Sequence, residues 1–347
     1  MKASPALAFF VAVALAAAVV PVLGGCGAPP AVAQPPPPEP SLATSSTQAI
    51  QASTLPASLT AEEFSLRPLP GADSTLLQAL QRNERTAPLR YRVIVIPGSG
   101  CAGMGPMADR YFAGLLHAQV LVLHKPGVDA QARTAPGDCA RSFVWRDRHS
   151  TWLAHARAAL RADAVQRKGQ PVIPTLLVGI SEGAELLPAL AHEVPHVAGL
   201  VLLSASGLDP QKAGELQARR LGVQSDWTAL GRIVQGAPHD SVTVQGRSLG
   251  YWRDLWNWPL TLPLLQSPWP ILQVWGSDDA LVPAVAYERF AQLAALRTAP
   301  FCSQRMEGAD HGLQRRAEGV DGIQQVWAWT EQWARNPQTG LCAALPP

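Results

Sequence analysis

The segment Gly179-Ile180-Ser181-Glu182-Gly183 places a serine between two glycines, directly after the apolar run Thr175-Leu176-Leu177-Val178 and directly before a helix-like run. A serine on a tight strand-to-helix turn adopts a strained backbone. Side chains two positions to either side would collide with it or with neighbouring strands, which accounts for the paired glycines. Its hydroxyl is a weak nucleophile until a base takes the proton, and the base needs an acid to orient it. The residues available for these two roles follow later in the chain. Asp278 and Asp279 stand in Gly276-Ser277-Asp278-Asp279 after one apolar run, and His311 stands in Gly308-Ala309-Asp310-His311-Gly312 after the next. His124 also ends an apolar run and is the rival base. His192 and His196 fall at the far end of the helix that follows the serine, and His117, His149, His155 and His239 read as surface or insertion residues. A further requirement of acyl transfer is a pair of backbone N–H groups facing the developing oxyanion, worth roughly 3–4 kcal/mol per donor. Glu182 supplies one amide and the loop Pro97-Gly98-Ser99-Gly100-Cys101 supplies others, with Ser99 favoured and Gly100 next. That loop lacks the Lys-Ser/Thr of a P-loop and the full GxGxxG pattern, which argues against phosphate binding.

These residues need a scaffold that brings strand ends together. Continuous apolar runs at 92–96, 118–123, 175–180, 197–203 and 271–275, with a weaker one at 301–306, predict strands buried on both faces, as in parallel sheets. Helix-like segments at 102–116, 150–165, 182–192, 284–296 and 319–333 alternate with them, which predicts an α/β doubly wound, mostly parallel sheet. One or two further strands are expected between 64 and 87. A single connection breaks the alternation, between 203 and 271. It holds helix-like stretches at 210–221 and 226–234 and a cluster of Tyr251, Trp252, Trp256 and Trp258, and it reads as a helical cap over about 208–265. The tryptophans serve either as the core of that insertion or as substrate contacts.

With the order serine, acid, histidine, the chain resembles the α/β-hydrolases over about 89–333. The segment at 179–183 matches the family's G-x-S-x-G elbow. The segment at 276–283 resembles G-x-x-D-x-x-V-P, which implies Asp279 as the acid with Asp278 the neighbour to test. The segment at 308–312 resembles the histidine loop, which implies His311 as the base. The loop at 97–101 resembles the family's H-G-G-x oxyanion loop but has Pro97 where histidine is frequent. The resemblance implies a serine hydrolase of the esterase or lipase type acting on small acyl esters, without metal or cofactor. A peptidase, amidase or thioesterase on the same residues is the alternative, as is an envelope protein that kept the fold for binding.

The remaining features place the domain. Lys2 followed by an apolar stretch to Leu23 has the order of a secretory leader, and Leu23-Gly24-Gly25-Cys26 resembles a bacterial lipobox. This predicts a signal peptide over 1–25, lipidation of Cys26, a Pro/Ala-rich tether over 26–60 that folds into neither helix nor sheet, and a hydrolase domain over 61–347. Gly27 rather than Asp after the cysteine favours, by resemblance to lipoprotein sorting, an outer-membrane anchor facing the periplasm. Export makes disulfides plausible for the four other cysteines, and no CxxC points to zinc. Cys101 and Cys139 both follow strands expected to be neighbours, Cys302 begins the last strand, and Cys342 follows a helix returning to its start. The expected pairs are therefore Cys101–Cys139 and Cys302–Cys342. A net charge of +2 with 16% charged residues and no block of like charge argues against a nucleic-acid partner.

Overall fold

The computed structural model describes residues 64–236, 239–315 and 319–344. The expected signal peptide, lipidated Cys26 and tether lie outside the described residues. Eight strands form the main sheet: β1 (Ser65–Pro70), β2 (Leu76–Arg82), β3 (Tyr91–Ile96), β4 (Ala118–Leu123), β5 (Thr175–Ile180), β6 (Val197–Leu203) and, after the short hairpin β7 (Thr243–Val244) and β8 (Arg247–Ser248), β9 (Ile271–Gly276) and β10 (Phe301–Met306). Their order across the sheet is β1-β2-β4-β3-β5-β6-β9-β10. The pairs β1–β2 and β2–β4 are antiparallel and every other neighbouring pair is parallel. Of the one or two strands expected between 64 and 87, two are present, β1 and β2.

The unbroken apolar runs have the predicted physical cause. Along β3 and β5 alternate residues face opposite sides. Ile94, Ile96 and Leu177 join one core cluster, and Val93, Val95, Leu176 and Val178 join the other. Burying each such side chain contributes roughly 1.5–3 kcal/mol, so both faces must be covered. Helix α1 (Gly105–Tyr111) lies on the second face, where Ala108 packs with Phe112 just beyond its end. After the short α2 (Arg141–Arg146), α3 (His149–Gln166) covers the first face through Trp152, Ala156, Ala159 and Leu160, spaced as one stripe of a helix. Asp163, near the end of α3, is buried and accepts two bonds from Arg92 of β3, at 2.6 and 2.9 Å, and one from Arg67 of β1 at 2.7 Å. The bonds from Arg92 and Arg67 outweigh the effect of burial, and the carboxyl is held below its ordinary range.

This topology creates the crevice. The connection from β3 runs over one face to β4, and the connection from β5 runs over the other face to β6, on the opposite side. The two leave the sheet in opposite directions, opening a gap at the carboxyl ends of β3 and β5.

The segment after β5 departs from its predicted form. In place of one helix over 182–192 it forms a 3₁₀ stretch, Ser181–Leu186, then a single α-turn, α4 (Leu187–Leu190), then another 3₁₀ turn. Pro188 explains the break. It has no N–H to donate, and its ring would meet the carbonyl of residue 184 in a continuous α-helix. The long connection holds α5 (Pro210–Arg220), α6 (Gln224–Gln235), the β7–β8 hairpin, α7 (Leu249–Trp256) and α8 (Thr261–Gln266). Trp227, Leu230, Val234, Leu249, Tyr251 and Trp252 form a cluster of their own. Leu208, Leu216, Leu260 and Leu264 of the same connection pack with the main core instead. The domain closes with α9 (Ala284–Ala294) and α10 (Gly322–Trp333), on opposite faces of the sheet.

Candidate active site

Ser181 sits at the carboxyl end of β5 with φ of 51°, a conformation that costs a non-glycine residue roughly 1–3 kcal/mol. Its neighbours enforce it. A Cβ on Gly179 would lie 2.2 Å from Ala184 Cα, and one on Gly183 would lie 2.2 Å from the Ile96 carbonyl oxygen. Both glycines are thus required by close backbone packing, as the motif suggested.

The serine's partners converge from two other strand ends. His311 Nε2 lies 3.0 Å from Ser181 Oγ, and His311 Nδ1 lies 2.8 Å from Asp279 Oδ2. Asp279 also accepts the Tyr287 hydroxyl at 2.7 Å and the backbone N–H groups of Leu281 and Val282 at 2.8 and 2.9 Å. Burial alone would raise its carboxyl. The hydrogen bond and charge of His311, with the Tyr287 and Val282 donors, outweigh that and hold it below its ordinary range. Asp278 is exposed, and its carboxylate takes the Ser277 hydroxyl at 2.9 Å. Of the two candidate acids, Asp279 is the one that meets the histidine.

The loops carrying these groups are strapped together. Asp278 N–H donates to the Ala309 carbonyl, Gly308 N–H donates to the Ser277 hydroxyl, and a Cβ on Gly276 would lie 2.1 Å from the Ala309 oxygen. Ser204, just beyond the end of β6, donates to the His311 carbonyl at 2.6 Å. It stands in no recognisable motif, and only the sheet order brings it to the histidine. His124, the rival base, bonds the Gln78 carbonyl through Nδ1 at 2.9 Å and accepts Met104 N–H at Nε2 at 2.9 Å, so both its nitrogens are engaged away from Ser181.

Pro97-Gly98-Ser99 crosses over the elbow. A Cβ on Gly98 would stand 3.3 Å from the Ile180 oxygen and 3.5 Å from Ser181 Cβ. Ser99 and Glu182 both border a cavity of about 180 Å³ that also contains Ser181 and His311. Among the described residues neither N–H reaches a backbone acceptor. Trp227, Arg247, Tyr251 and Trp252 of the long connection form much of the remaining wall, and Trp256 is stacked on Trp227 at 4.6 Å. Of the tryptophans at 252, 256 and 258, Trp252 lines the cavity, Trp256 packs within the insertion and Trp258 packs against the main core. A larger, more open recess of about 710 Å³ lies by Arg90, His117 and Arg335, beside residues that precede β3 and β4 and so at the opposite edge from Ser181.

No protein-family model and no curated protein matches the sequence. Solved structures do. Est1E from Butyrivibrio proteoclasticus superposes with a TM-score of 0.51 at 13% identity, over 79% of this chain and 99% of Est1E. A protein of unknown function from Staphylococcus aureus gives 0.52 at 15% identity, over 78% of this chain and 98% of its own. A puromycin-hydrolyzing peptidase from Mycobacterium tuberculosis gives 0.50 at 15% identity; 80% of this chain is covered, and the chain spans 40% of the peptidase's length. The chain has the α/β-hydrolase fold.

Within this α/β-hydrolase fold both expected disulfides form, Cys101–Cys139 and Cys302–Cys342. The first ties the loop after β3 to the segment before α2, and the second ties β10 to the chain after α10. The other side of Ser181 holds Lys125, Asp147 and Arg247, which sequence reading did not single out. Lys125, next to the end of β4, donates to Asp147 at 2.9 Å and to the Glu182 side chain, with its ammonium 4.3 Å from the Trp152 ring centroid. Asp147 also takes Arg247 at 2.5 Å, and Glu182 takes the Tyr251 hydroxyl at 3.0 Å. Burial would raise the Glu182 carboxyl, but the charges of Lys125, His149 and Arg247 overcome it and bring its pKa to about 2. His149 and His155, read from sequence as surface or insertion residues, are buried. His149 contacts Glu185 at 2.5 Å. Burial opposes its charge, but Glu185 and Glu182 together raise its pKa above the ordinary value. Nothing near these histidines in sequence signals a buried partner, since Glu185 is 36 residues away from His149.

Proposed function

We propose that this chain is a serine hydrolase of carboxylic esters, with Ser181 as nucleophile, His311 as general base and acid, and Asp279 as the group that orients His311. The observation that carries the reading is the continuous chain of bonds from Ser181 Oγ through His311 to Asp279. In the first step Ser181 Oγ attacks the acyl carbon while His311 Nε2 takes its proton. The carbonyl oxygen becomes an oxyanion facing the N–H groups of Ser99 and Glu182. Collapse breaks the bond to the leaving alkoxide, which departs as an alcohol with the proton from His311. Water, deprotonated by His311, then attacks the acyl-serine. The acid leaves, and Ser181 recovers its proton. These steps call for no metal or cofactor.

Ester hydrolysis is preferred to peptide hydrolysis on two grounds. Est1E is matched over 99% of its length, against 40% for the peptidase. The cavity is also smaller than the roughly 300–1,000 Å³ of pockets for drug-sized ligands. The test is turnover of 4-nitrophenyl esters of rising chain length beside the matching 4-nitroanilides. Ester turnover that peaks at short chains is expected. Anilides cleaved as fast as esters would move the reading to an amidase, and turnover of neither would leave a binding protein. Lipid anchoring through Cys26 and exposure to the periplasm belong to the same proposal and are supported by Leu23-Gly24-Gly25-Cys26 in the sequence.

A further inference from the structure

Arg247 stands on the wall of the cavity that holds Ser181 and His311 and is 7% exposed. Its Nη1 donates to Asp147 at 2.5 Å, and its guanidinium carbon lies 4.7 Å from the centroid of the Tyr251 ring. Among the described residues, Nε and Nη2 meet no acceptor. They also differ from the sealed, unpartnered nitrogens of Arg92 and Arg297, because they are not closed off by surrounding atoms. An almost fully buried guanidinium therefore presents one open edge, Nε with Nη2, while it borders the space beside the nucleophile.

That edge is a planar fork whose spacing fits the two oxygens of a carboxylate, and it stays charged at any working pH. The nearby negative charge is already committed. Asp147 faces two cations, Arg247 and Lys125, and Glu182 is held by Lys125 and the Tyr251 hydroxyl. Glu185, the other carboxylate on the wall, is paired with His149. Donors left unpaired in a buried site are costly until an acceptor arrives, so the open edge discriminates for a ligand that supplies one.

We propose that Arg247 is a specificity residue and that the ester cleaved at Ser181 carries a carboxylate, received by the open edge of the guanidinium. This rests on the hydrolase reading above. The cavity volume restricts the charged portion to a short one, such as the half-ester of a small dicarboxylic acid or an ester whose alcohol half bears the acid.

Two matched substrate pairs test it with the full-length protein. In the first, 4-nitrophenyl hemiglutarate and 4-nitrophenyl valerate differ by a charge in the acyl half. In the second, 4-acetoxybenzoate and its methyl ester differ by a charge in the alcohol half. The expected result is a kcat/KM about tenfold or more higher for the charged member of one pair, the size of one or two charge-assisted hydrogen bonds. The pair concerned identifies the half that carries the carboxylate. Arg247→Met should bring that ratio to near one, and Arg247→Lys, which keeps the cation facing Asp147, should retain part of it. Wild-type protein that reacts with a fluorophosphonate at Ser181 but shows no preference in either pair overturns this inference alone, as does a preference that Arg247→Met leaves intact. Protein that neither reacts with the probe nor turns over any ester overturns the hydrolase reading beneath it.

Discussion

The two sides of Ser181 are built differently. On one side Asp279 and His311 stand on loops that follow consecutive strands, β9 and β10, and each is embedded in a short run with its own glycine. On the other side Lys125, Asp147, Glu182 and Arg247 come from four separate stretches and share two carboxylates between two cations, all nearly sealed from solvent. In the proposed reaction the first side carries the groups that move protons, and its histidine keeps a partly open position. The second is a fixed electrostatic wall between the sheet edge and the insertion. The difference implies that damage to the first side is read in rate and damage to the second is read first in stability.

The largest expected effect is on the proton side. Asp279→Asn should lower kcat by about a thousandfold or more, as loss of the orienting carboxylate does in such triads, while Asp278→Asn should leave it within about twofold. Steady-state kinetics on a short-chain ester decides between them, and the reverse result would transfer the acid role to Asp278.

On the wall, Lys125→Met leaves Asp147 and Glu182 buried without their shared cation. The expected loss is about 3–5 kcal/mol of unfolding free energy, measured by urea denaturation, against less than about 1 kcal/mol for Asp278→Asn. An unchanged midpoint would break the comparison, because it would mean the wall is not structural.

The smallest effect separates the rival histidine from the proposed base, His311. Burial lowers the pKa of His124 from its ordinary 6.5 to about 4, more than the Gln78 carbonyl and the Asp129 charge offset. Above pH 6.5 the residue is neutral folded and unfolded. As the pH falls below that value, the unfolded chain takes up a proton that the folded chain refuses. Stability is then lost between about pH 6.5 and 4, by up to about 3 kcal/mol. Unfolding midpoints at pH 7 and 4.5 should therefore differ less in His124→Asn than in the wild type. An equal difference in both would place the titration elsewhere.

The same contrast sets what was legible in the sequence. Apolar runs mark six strands almost to the residue; five are largely buried on both faces, which such runs register, while β10 at the sheet edge is only partly buried and its run is correspondingly weaker. Glycines at 179 and 183 signal backbone contacts that the fold does make. The cysteine pairs followed from strand adjacency. The wall was not legible, since its members lie 22 to 100 residues apart in pairs and no local pattern marks a buried lysine or arginine. Ser204 escaped for the same reason. The helix after Ser181 is shorter than its apolar spacing predicts because Pro188 interrupts it. His149 and His155 read as surface or insertion residues because a histidine on an amphipathic helix looks solvated until its partners are known.

The central claim is that Ser181 is the nucleophile. The most direct measurement is covalent labelling by a fluorophosphonate, read by intact mass, on wild type and Ser181→Ala at neutral pH. The account predicts one adduct on the wild type, mapped to the peptide containing Ser181, and none on the variant. Labelling of Ser181→Ala to the same extent, or no adduct on a folded wild type, would contradict it.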